Sequence, residues 1–140
     1  MSKVAVVYWS GTGNTQIMAD AVEEGIKEKG GEAVLLGPDS FSAADVASYD
    51  AIAFGCPAMG AEVLEEAEYQ PMWDDVKGAL SGKKIALFGS YGWGDGEWMR
   101  NWEDDARDCG AELVVDSVMA NNEPDDEAKE ACKALGAALV

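Results

Sequence analysis

The sequence predicts a three-layer α/β sandwich in which helices cover both faces of a five-stranded parallel sheet. Short β-branched and apolar runs alternate with segments of helical periodicity along the whole chain. No linker, repeat or low-complexity segment interrupts this alternation. Strict alternation implies right-handed crossovers between parallel strands. A length of 140 residues suffices for one hydrophobic core. We therefore expect residues 1–140 to form a single domain.

The first half of the chain contains three predicted strands. Lys3–Tyr8, Glu32–Leu36 and Ala51–Cys56 are short runs rich in apolar and β-branched residues. A short helix is expected near Ser42–Ala47. A longer helix between the first two strands ends at Gly30-Gly31, and its apolar positions are Ile17, Met18, Ala21, Val22 and Ile26.

The second half of the chain continues the pattern. Lys84–Gly89 is predicted as the fourth strand and Leu113–Met119 as an uninterrupted fifth. The last helix is expected to begin near Pro124. One helix is expected after each of the third, fourth and fifth strands. The apolar positions of these three helices are, in order, Met72, Trp73, Val76 and Leu80; Trp98, Trp102, Ala106 and Cys109; and Ala128, Ala131, Cys132, Leu135 and Leu139.

The charge and the missing residue types exclude several classes of function. The formal net charge of −17 would repel nucleic acid and anionic membranes and would attract a basic protein partner. The chain contains no histidine, so mechanisms that need a Ser-His or Cys-His pair are excluded. Cys56, Cys109 and Cys132 lie in apolar stretches without a CxxC pair, and we interpret them as small buried side chains.

The N-terminal segment and the distribution of apolar residues predict a cytoplasmic protein. Met1-Ser2-Lys3 leads directly into a strand, without the layout of a signal peptide. No apolar run approaches the roughly 20 residues that a membrane-spanning helix needs.

The loop after the first strand has the composition of a phosphate site. In parallel α/β sheets, ligands bind beyond the carboxyl ends of the strands. Glycines allow a tight turn with exposed N–H groups, and the helix that follows adds partial positive charge. The loop lacks the lysine of a Walker motif, the third glycine of a dinucleotide fingerprint and the cysteine of a phosphatase. We infer that it holds a phosphate without reacting with it through Ser10, Gly11, Thr12, Gly13, Asn14 and Thr15.

The loops after the third and fourth strands carry apolar and aromatic residues between glycines. Met59 lies beside Gly60, and Trp93 lies between Gly92 and Gly94. A methionine opposite a tryptophan makes a slot for a flat aromatic ring. A phosphate site next to such a slot indicates a mononucleotide with a large planar head, although an exposed protein-interaction surface remains an alternative for the tryptophan.

Three segments resemble the short-chain flavodoxins of anaerobic bacteria. They are YWSGTGNT, GCPAMGAEVLEE and ALFGSYGWGDGEWMR, and they follow the first, third and fourth predicted strands in the family's order. The resemblance covers essentially the whole chain. It implies the flavodoxin-like strand order 2-1-3-4-5, with the cofactor FMN bound where the order reverses. Both features are those by which flavodoxins are known, and they are expected here from the resemblance.

The resemblance also implies roles for individual residues. Residues 10–15 would hold the FMN phosphate. Met59 would cover the inner face of the flavin ring and Trp93 the outer face. The Gly60 carbonyl would meet flavin N5, and Glu62 would accept a hydrogen bond from N3. The remaining cofactor-binding positions in the two loops would be Pro57, Ala58, Ala61, Ser90, Tyr91, Gly92, Gly94 and Asp95.

The function implied is that of a low-potential one-electron carrier rather than an enzyme, with FMN passing through semiquinone and hydroquinone states. The expected partners are reductases and low-potential oxidoreductases with basic docking faces, and the expected state is a monomer. Acidic residues just after the flavin loop would face such partners: Glu62, Glu65, Glu66 and Glu68. Two alternatives remain open, a flavodoxin-like FMN-dependent quinone reductase and an interaction module without flavin.

Overall fold

A parallel sheet with helices on both faces forms the centre of the computed structural model, which describes residues 2–11, 13–59, 63–92 and 94–140. The strands are β1 Lys3–Tyr8, β2 Glu32–Leu36, β3 Ala51–Gly55, β4 Lys84–Tyr91, β5 Glu112–Leu113 and β6 Val118–Asn121. The α-helices are α1 Asn14–Glu28, α2 Tyr69–Val76, α3 Glu97–Asp108 and α4 Asp126–Ala138.

The strand order is β2-β1-β3-β4-β5, and β6 also pairs with β4. These strands pair in parallel, and the register between β1 and β3 joins Val4 to Ala51 and Tyr8 to Gly55. The predicted three-layer fold and its strand order are therefore confirmed.

Two apolar clusters lie on opposite faces of the sheet because successive side chains of a strand point to opposite sides. On one face, Val7 and Phe54 pack with residues of α2 and α3, including Trp73 and Trp102. On the other face, the core contains residues of α1 and α4, among them Met18, Val22, Cys132 and Leu135. The alternation along β1 explains why a nearly continuous apolar run is buried on both sides.

The fifth strand is not continuous, so this prediction is wrong. Leu113 pairs with Ile85, and Val118 is the next residue in register, opposite Phe88. The edge of the sheet therefore contains two more residues than β4 does over the same stretch, which makes a bulge. Bulges are common on edge strands. Here Ser117 turns away from the ladder and donates a hydrogen bond to the Glu103 carboxylate at 2.6 Å.

Several predicted boundaries shift by a few residues. The segment expected as a short helix is a 3₁₀ helix, Ala43–Ser48, and a second 3₁₀ helix covers Lys77–Ala79 after α2. β3 ends at Gly55, and β4 continues to Tyr91 because β6 supplies it with a partner. Cys109 is half-buried at the end of α3, whereas Cys56 and Cys132 are buried as expected. Ala128 and Ala131 are half-buried rather than buried. Within the described ranges no helix is long and apolar enough to cross a bilayer.

Candidate functional site

Backbone hydrogen bonds hold three loops together at the carboxyl ends of β1, β3 and β4. The Trp9 N–H donates to the Gly55 carbonyl at 3.1 Å, which extends the pairing of β1 and β3 by one residue. The Ala58 N–H donates to the Ser90 carbonyl at 3.0 Å and joins the loop after β3 to the end of β4. The three loops singled out from the sequence therefore meet at one edge of the sheet.

Ser10 organises the loop between β1 and α1. Its hydroxyl oxygen accepts hydrogen bonds from the N–H groups of Gly13 at 3.1 Å and Gln16 at 3.3 Å. Gly13 has φ +99°, a conformation that other residues rarely adopt, and a Cβ at this position would contact nothing within 4 Å. Position 13 therefore favours glycine because of its backbone conformation and not because a side chain would clash. The Ser10 oxygen acts partly as a helix cap, which leaves its own proton available to donate.

The first turn of α1 presents backbone donors toward the same loop. The N–H groups of Asn14 and Thr15 make no hydrogen bond to any residue that the structure describes. Unpaired N–H groups and the helix dipole make a helix start favourable for an anion. The Thr15 side chain is directed elsewhere: it is buried, and its hydroxyl lies 3.1 Å from the Ser90 hydroxyl.

A cavity of about 200 Å³ lies between these loops. Apolar side chains from the loop after β3 form one side of it, and the start of α1 lies at its edge. The lining residues are Trp9, Gly11, Asn14, Pro57, Ala58, Met59, Ser90, Tyr91, Gly92 and Asn122.

Not all of the predicted site residues line this cavity. Ser10, Gly13 and Thr15 lie in its immediate sequence neighbourhood but are not part of the lining. Gly94 and Asp95 also lie outside it, and Asp95 forms an exposed ion pair with Arg100 at 3.1 Å. The predictions for Thr12, Gly60, Ala61, Glu62 and Trp93 lie outside the described residues.

The turn expected to face the flavin ring is closed at its base by a β-bridge. Met59 and Val63 exchange two backbone hydrogen bonds, of 2.9 and 3.1 Å. Three residues separate these two positions in the sequence. Met59 is half-buried and lines the cavity.

Glu65 caps the start of α2 rather than facing a partner, which corrects its assignment as a docking residue. Its side chain is buried, and its carboxylate accepts hydrogen bonds from the backbone N–H groups of Ala67, Glu68 and Tyr69 at 2.7–2.9 Å. Burial acts to raise the pKa of Glu65, but the hydrogen bonds from Tyr69, Glu68 and Ala67 outweigh it and hold the pKa below its ordinary value.

Cys56 and Gly89 pack against each other beneath the site. The Cys56 carbonyl accepts a hydrogen bond from the Trp98 indole at 3.1 Å, and a Cβ on Gly89 would lie 2.2 Å from this carbonyl oxygen. Glycine is therefore required at position 89. Burial raises the pKa of the Cys56 thiol to about 12, so this cysteine is an inert core residue.

Sequence reasoning missed two residues that line the cavity. Trp9 follows the last residue of β1, and the motif YWSGTGNT contains it, but only the sheet register shows that its ring turns into the site. Asn122 has φ +59° and donates its N–H to the Tyr91 carbonyl at 2.6 Å. An Asn-Asn pair after the last strand is a signal for a left-handed turn residue, and it could have drawn attention to this position.

Comparison with known proteins assigns the chain to a family. The family model described as Flavodoxin matches residues 6–136. The chain belongs to the flavodoxin family. Flavodoxins bind FMN and transfer electrons between redox partner proteins, so this chain is an FMN-dependent electron carrier rather than an enzyme.

Individual flavodoxins are similar over nearly the whole chain. The flavodoxin of Megasphaera elsdenii is 46% identical over 137 residues, which cover 98% of each chain. That of Clostridium beijerinckii is 44% identical over 131 residues, with 94% of each chain covered. The solution structure of two-electron reduced Megasphaera elsdenii flavodoxin aligns with a TM-score of 0.89 at 44% identity and 97% coverage of both chains. The short-chain flavodoxin resemblance is thereby confirmed.

The residues of the cavity fit FMN. The N–H groups of Asn14 and Thr15, which have no partner in the part of the chain that the structure describes, suit a phosphate, and half-buried Met59 and Tyr91 offer apolar surface to a ring. Among the described residues no group of three or more acidic or cysteine side chains could hold a metal ion. FMN, the cofactor that flavodoxins bind, supplies the redox chemistry when bound.

Proposed function

We propose that the chain is a low-potential, one-electron carrier whose FMN phosphate binds at residues 10–15 and whose flavin ring lies between the loops that follow β3 and β4. The observation that carries the proposal is the cavity itself. It joins the start of α1, where the N–H groups of Asn14 and Thr15 have no partner among the described residues, to an apolar wall at the carboxyl ends of β3 and β4. FMN supplies the redox chemistry when bound, since a flavin can accept and release electrons one at a time.

The residues of the chain would bind and orient the cofactor. Ser10 would donate its hydroxyl proton to a phosphate oxygen, because its own oxygen already accepts two backbone hydrogen bonds. Gly11 and Asn14 would approach the same phosphate from the loop. Met59 would pack against one face of the ring and exclude water from it. The other positions proposed for binding are Thr12, Gly13, Thr15, Pro57, Ala58, Gly60, Ala61, Glu62, Ser90, Tyr91, Gly92, Trp93, Gly94 and Asp95, to which the cavity adds Trp9 and Asn122.

The charge of the chain supports a low potential. Each carboxylate about 12 Å from the ring opposes an added electron by about 0.3 kcal/mol in high dielectric. Several carboxylates together contribute about 1–2 kcal/mol, or roughly 40–90 mV. The net charge of −17 favours such a contribution, which should be largest at low salt.

The acidic surface also supports docking by basic faces of reductases and low-potential oxidoreductases. Glu66 and Glu68 are exposed, and Glu68 contacts the cavity-lining Trp9, whereas the carboxylate of Glu65 is buried and bonded to N–H groups at the start of α2. Among the described residues the large apolar side chains that are exposed are Val63, Met119 and Val140. So few exposed apolar side chains favour a monomer.

A binding and redox experiment tests the proposal. The apoprotein should bind FMN much more tightly than riboflavin, because riboflavin lacks the phosphate. A redox titration of the FMN-bound protein should resolve two one-electron steps, with the lower potential well below that of free FMN. Binding of riboflavin as tight as that of FMN would contradict the phosphate site. A single two-electron step, or steady NADPH oxidation with a quinone by the protein alone, would contradict the carrier role.

A further inference from the structure

Trp9 connects two of the loops at the site. Its backbone N–H donates a hydrogen bond to the Gly55 carbonyl, and its indole N–H donates one to the Glu68 carboxylate at 2.9 Å. Its six-membered ring lies directly over Gly11, since a Cβ on Gly11 would lie 2.9 Å from Cη2 and 3.2 Å from Cζ3. The ring therefore rests against the loop after β1, while its N–H is anchored in the segment after β3.

Glu68 is itself held in place. Its backbone N–H donates to the Glu65 carboxylate at 2.7 Å, and Glu65 is buried at the start of α2. A chain of contacts thus leads from the capped start of α2 through Glu68 and Trp9 to Gly11. This chain fixes the distance between the loop after β1 and the segment after β3.

We propose that Trp9 and Glu68 form a strut, that is, a fixed contact that positions the phosphate loop, residues 10–15, against the proposed flavin-binding segment after β3, residues 57–62. Both are positioning residues for the FMN phosphate. The proposal rests on the phosphate site proposed above and adds the device that sets its place. Glu68 cannot serve the phosphate by charge, because a carboxylate near a phosphate repels it. Its contribution must come from the hydrogen bond to Trp9, which a neutral acceptor could also make.

Variants of Glu68 separate the hydrogen bond from the charge. Glu68→Ala removes the acceptor, and Glu68→Gln keeps an acceptor without charge. The control is Glu66→Ala, which removes the exposed carboxylate two residues away. Dissociation constants of FMN and riboflavin would be measured with each apoprotein by fluorescence quenching. We expect Glu68→Ala to weaken FMN binding about threefold to tenfold, the range for one hydrogen bond, and riboflavin binding by less than about twofold. Glu68→Gln and Glu66→Ala should bind FMN within about twofold of the unchanged protein.

A double-mutant cycle tests whether the two residues act together. Trp9→Phe removes the indole N–H and replaces the two fused rings over Gly11 with a single smaller ring. If the strut exists, adding Glu68→Ala to Trp9→Phe should weaken FMN binding no further. Additive losses would overturn the proposal. Denaturant unfolding of each apoprotein controls for loss of the fold.

Further outcomes would refute either the strut or the phosphate site. Equal losses of FMN and riboflavin affinity in Glu68→Ala, or tighter FMN binding in both Glu68 variants, would overturn the strut. In the unchanged protein, a strong preference for FMN over riboflavin with no effect of Glu68→Ala would refute the strut alone. If the unchanged protein showed no such preference, the phosphate site itself would be wrong.

Discussion

The hydroxyl groups of Thr15 and Ser90 lie 3.1 Å apart in the buried space between the start of α1 and the end of β4. Each side chain is 5% exposed or less, so neither hydroxyl can exchange its partner for bulk water. The pair joins the helix that begins at the phosphate loop to β4, whose residues Ser90 and Tyr91 line the cavity. It therefore ties together two parts of the cofactor site through the core.

Removing one member of this pair should destabilise the fold. Thr15→Val retains the shape of the side chain but leaves the Ser90 hydroxyl without its partner. A buried unsatisfied hydroxyl costs about 1–3 kcal/mol in the free energy of unfolding, which urea denaturation can measure. Thr15→Val combined with Ser90→Ala should cost less than the sum of the single changes. Strictly additive costs would mean that the two hydroxyls do not interact.

Gly89 should tolerate no side chain. In Gly89→Ala the new Cβ would lie 2.2 Å from the Cys56 carbonyl oxygen, so the backbone of β3 or β4 must shift. We expect a loss of at least about 2 kcal/mol of stability, typical of overpacking in a core. Gly78→Ala is the matched control, because a Cβ there would contact nothing within 4 Å and its φ is not positive. Equal stability of the two variants in thermal unfolding would contradict the close contact.

Glu65 should make stability depend on pH in the acidic range. Because the folded state holds the pKa of Glu65 below its ordinary value, the stabilisation is complete above about pH 4.3, the unfolded value, and is lost as pH falls through the folded pKa. The Glu65→Gln variant should therefore be less stable than the unchanged protein at pH 7, and the difference should shrink toward acid pH. Urea denaturation at several pH values would measure it. Glu66→Gln, an exposed neighbour, should show no comparable change.

Two variants of Asn122 should separate the effect of backbone strain on stability from the effect of the side chain on FMN binding. Asn122→Ala must place alanine at φ +59°, which costs about 1–2 kcal/mol, whereas Asn122→Gly avoids that cost. If the amide contacts FMN, both variants should bind FMN more weakly than the unchanged protein. Calorimetric titration and denaturant unfolding of the same variants would resolve the two effects. Unchanged FMN affinity in Asn122→Gly would limit the residue to a role in the turn.

The sequence by itself determined the fold class and the location of the site. β1 and β2 begin and end where their apolar runs do, because local composition marks both the buried strand β1 and the half-buried edge strand β2. The glycines around Ser10 indicated a tight turn before a helix, and Gly13 does adopt a positive φ. Strand–helix alternation then sufficed to bring the loops after β1, β3 and β4 to one edge.

Only the tertiary structure decided what depends on register between distant segments. Glu65 belongs to an acidic run, yet it is buried as a helix cap, since local sequence does not show which carboxylate meets the free N–H groups of α2. Trp9 and Glu68 are 59 positions apart, and no periodicity could pair them. Asp116 and Ser117 interrupt the apolar run between β5 and β6, but only the pairing with β4 shows that the edge strand is broken there. Such contacts form only when the whole sheet is assembled, because the sheet fixes the distances between loops.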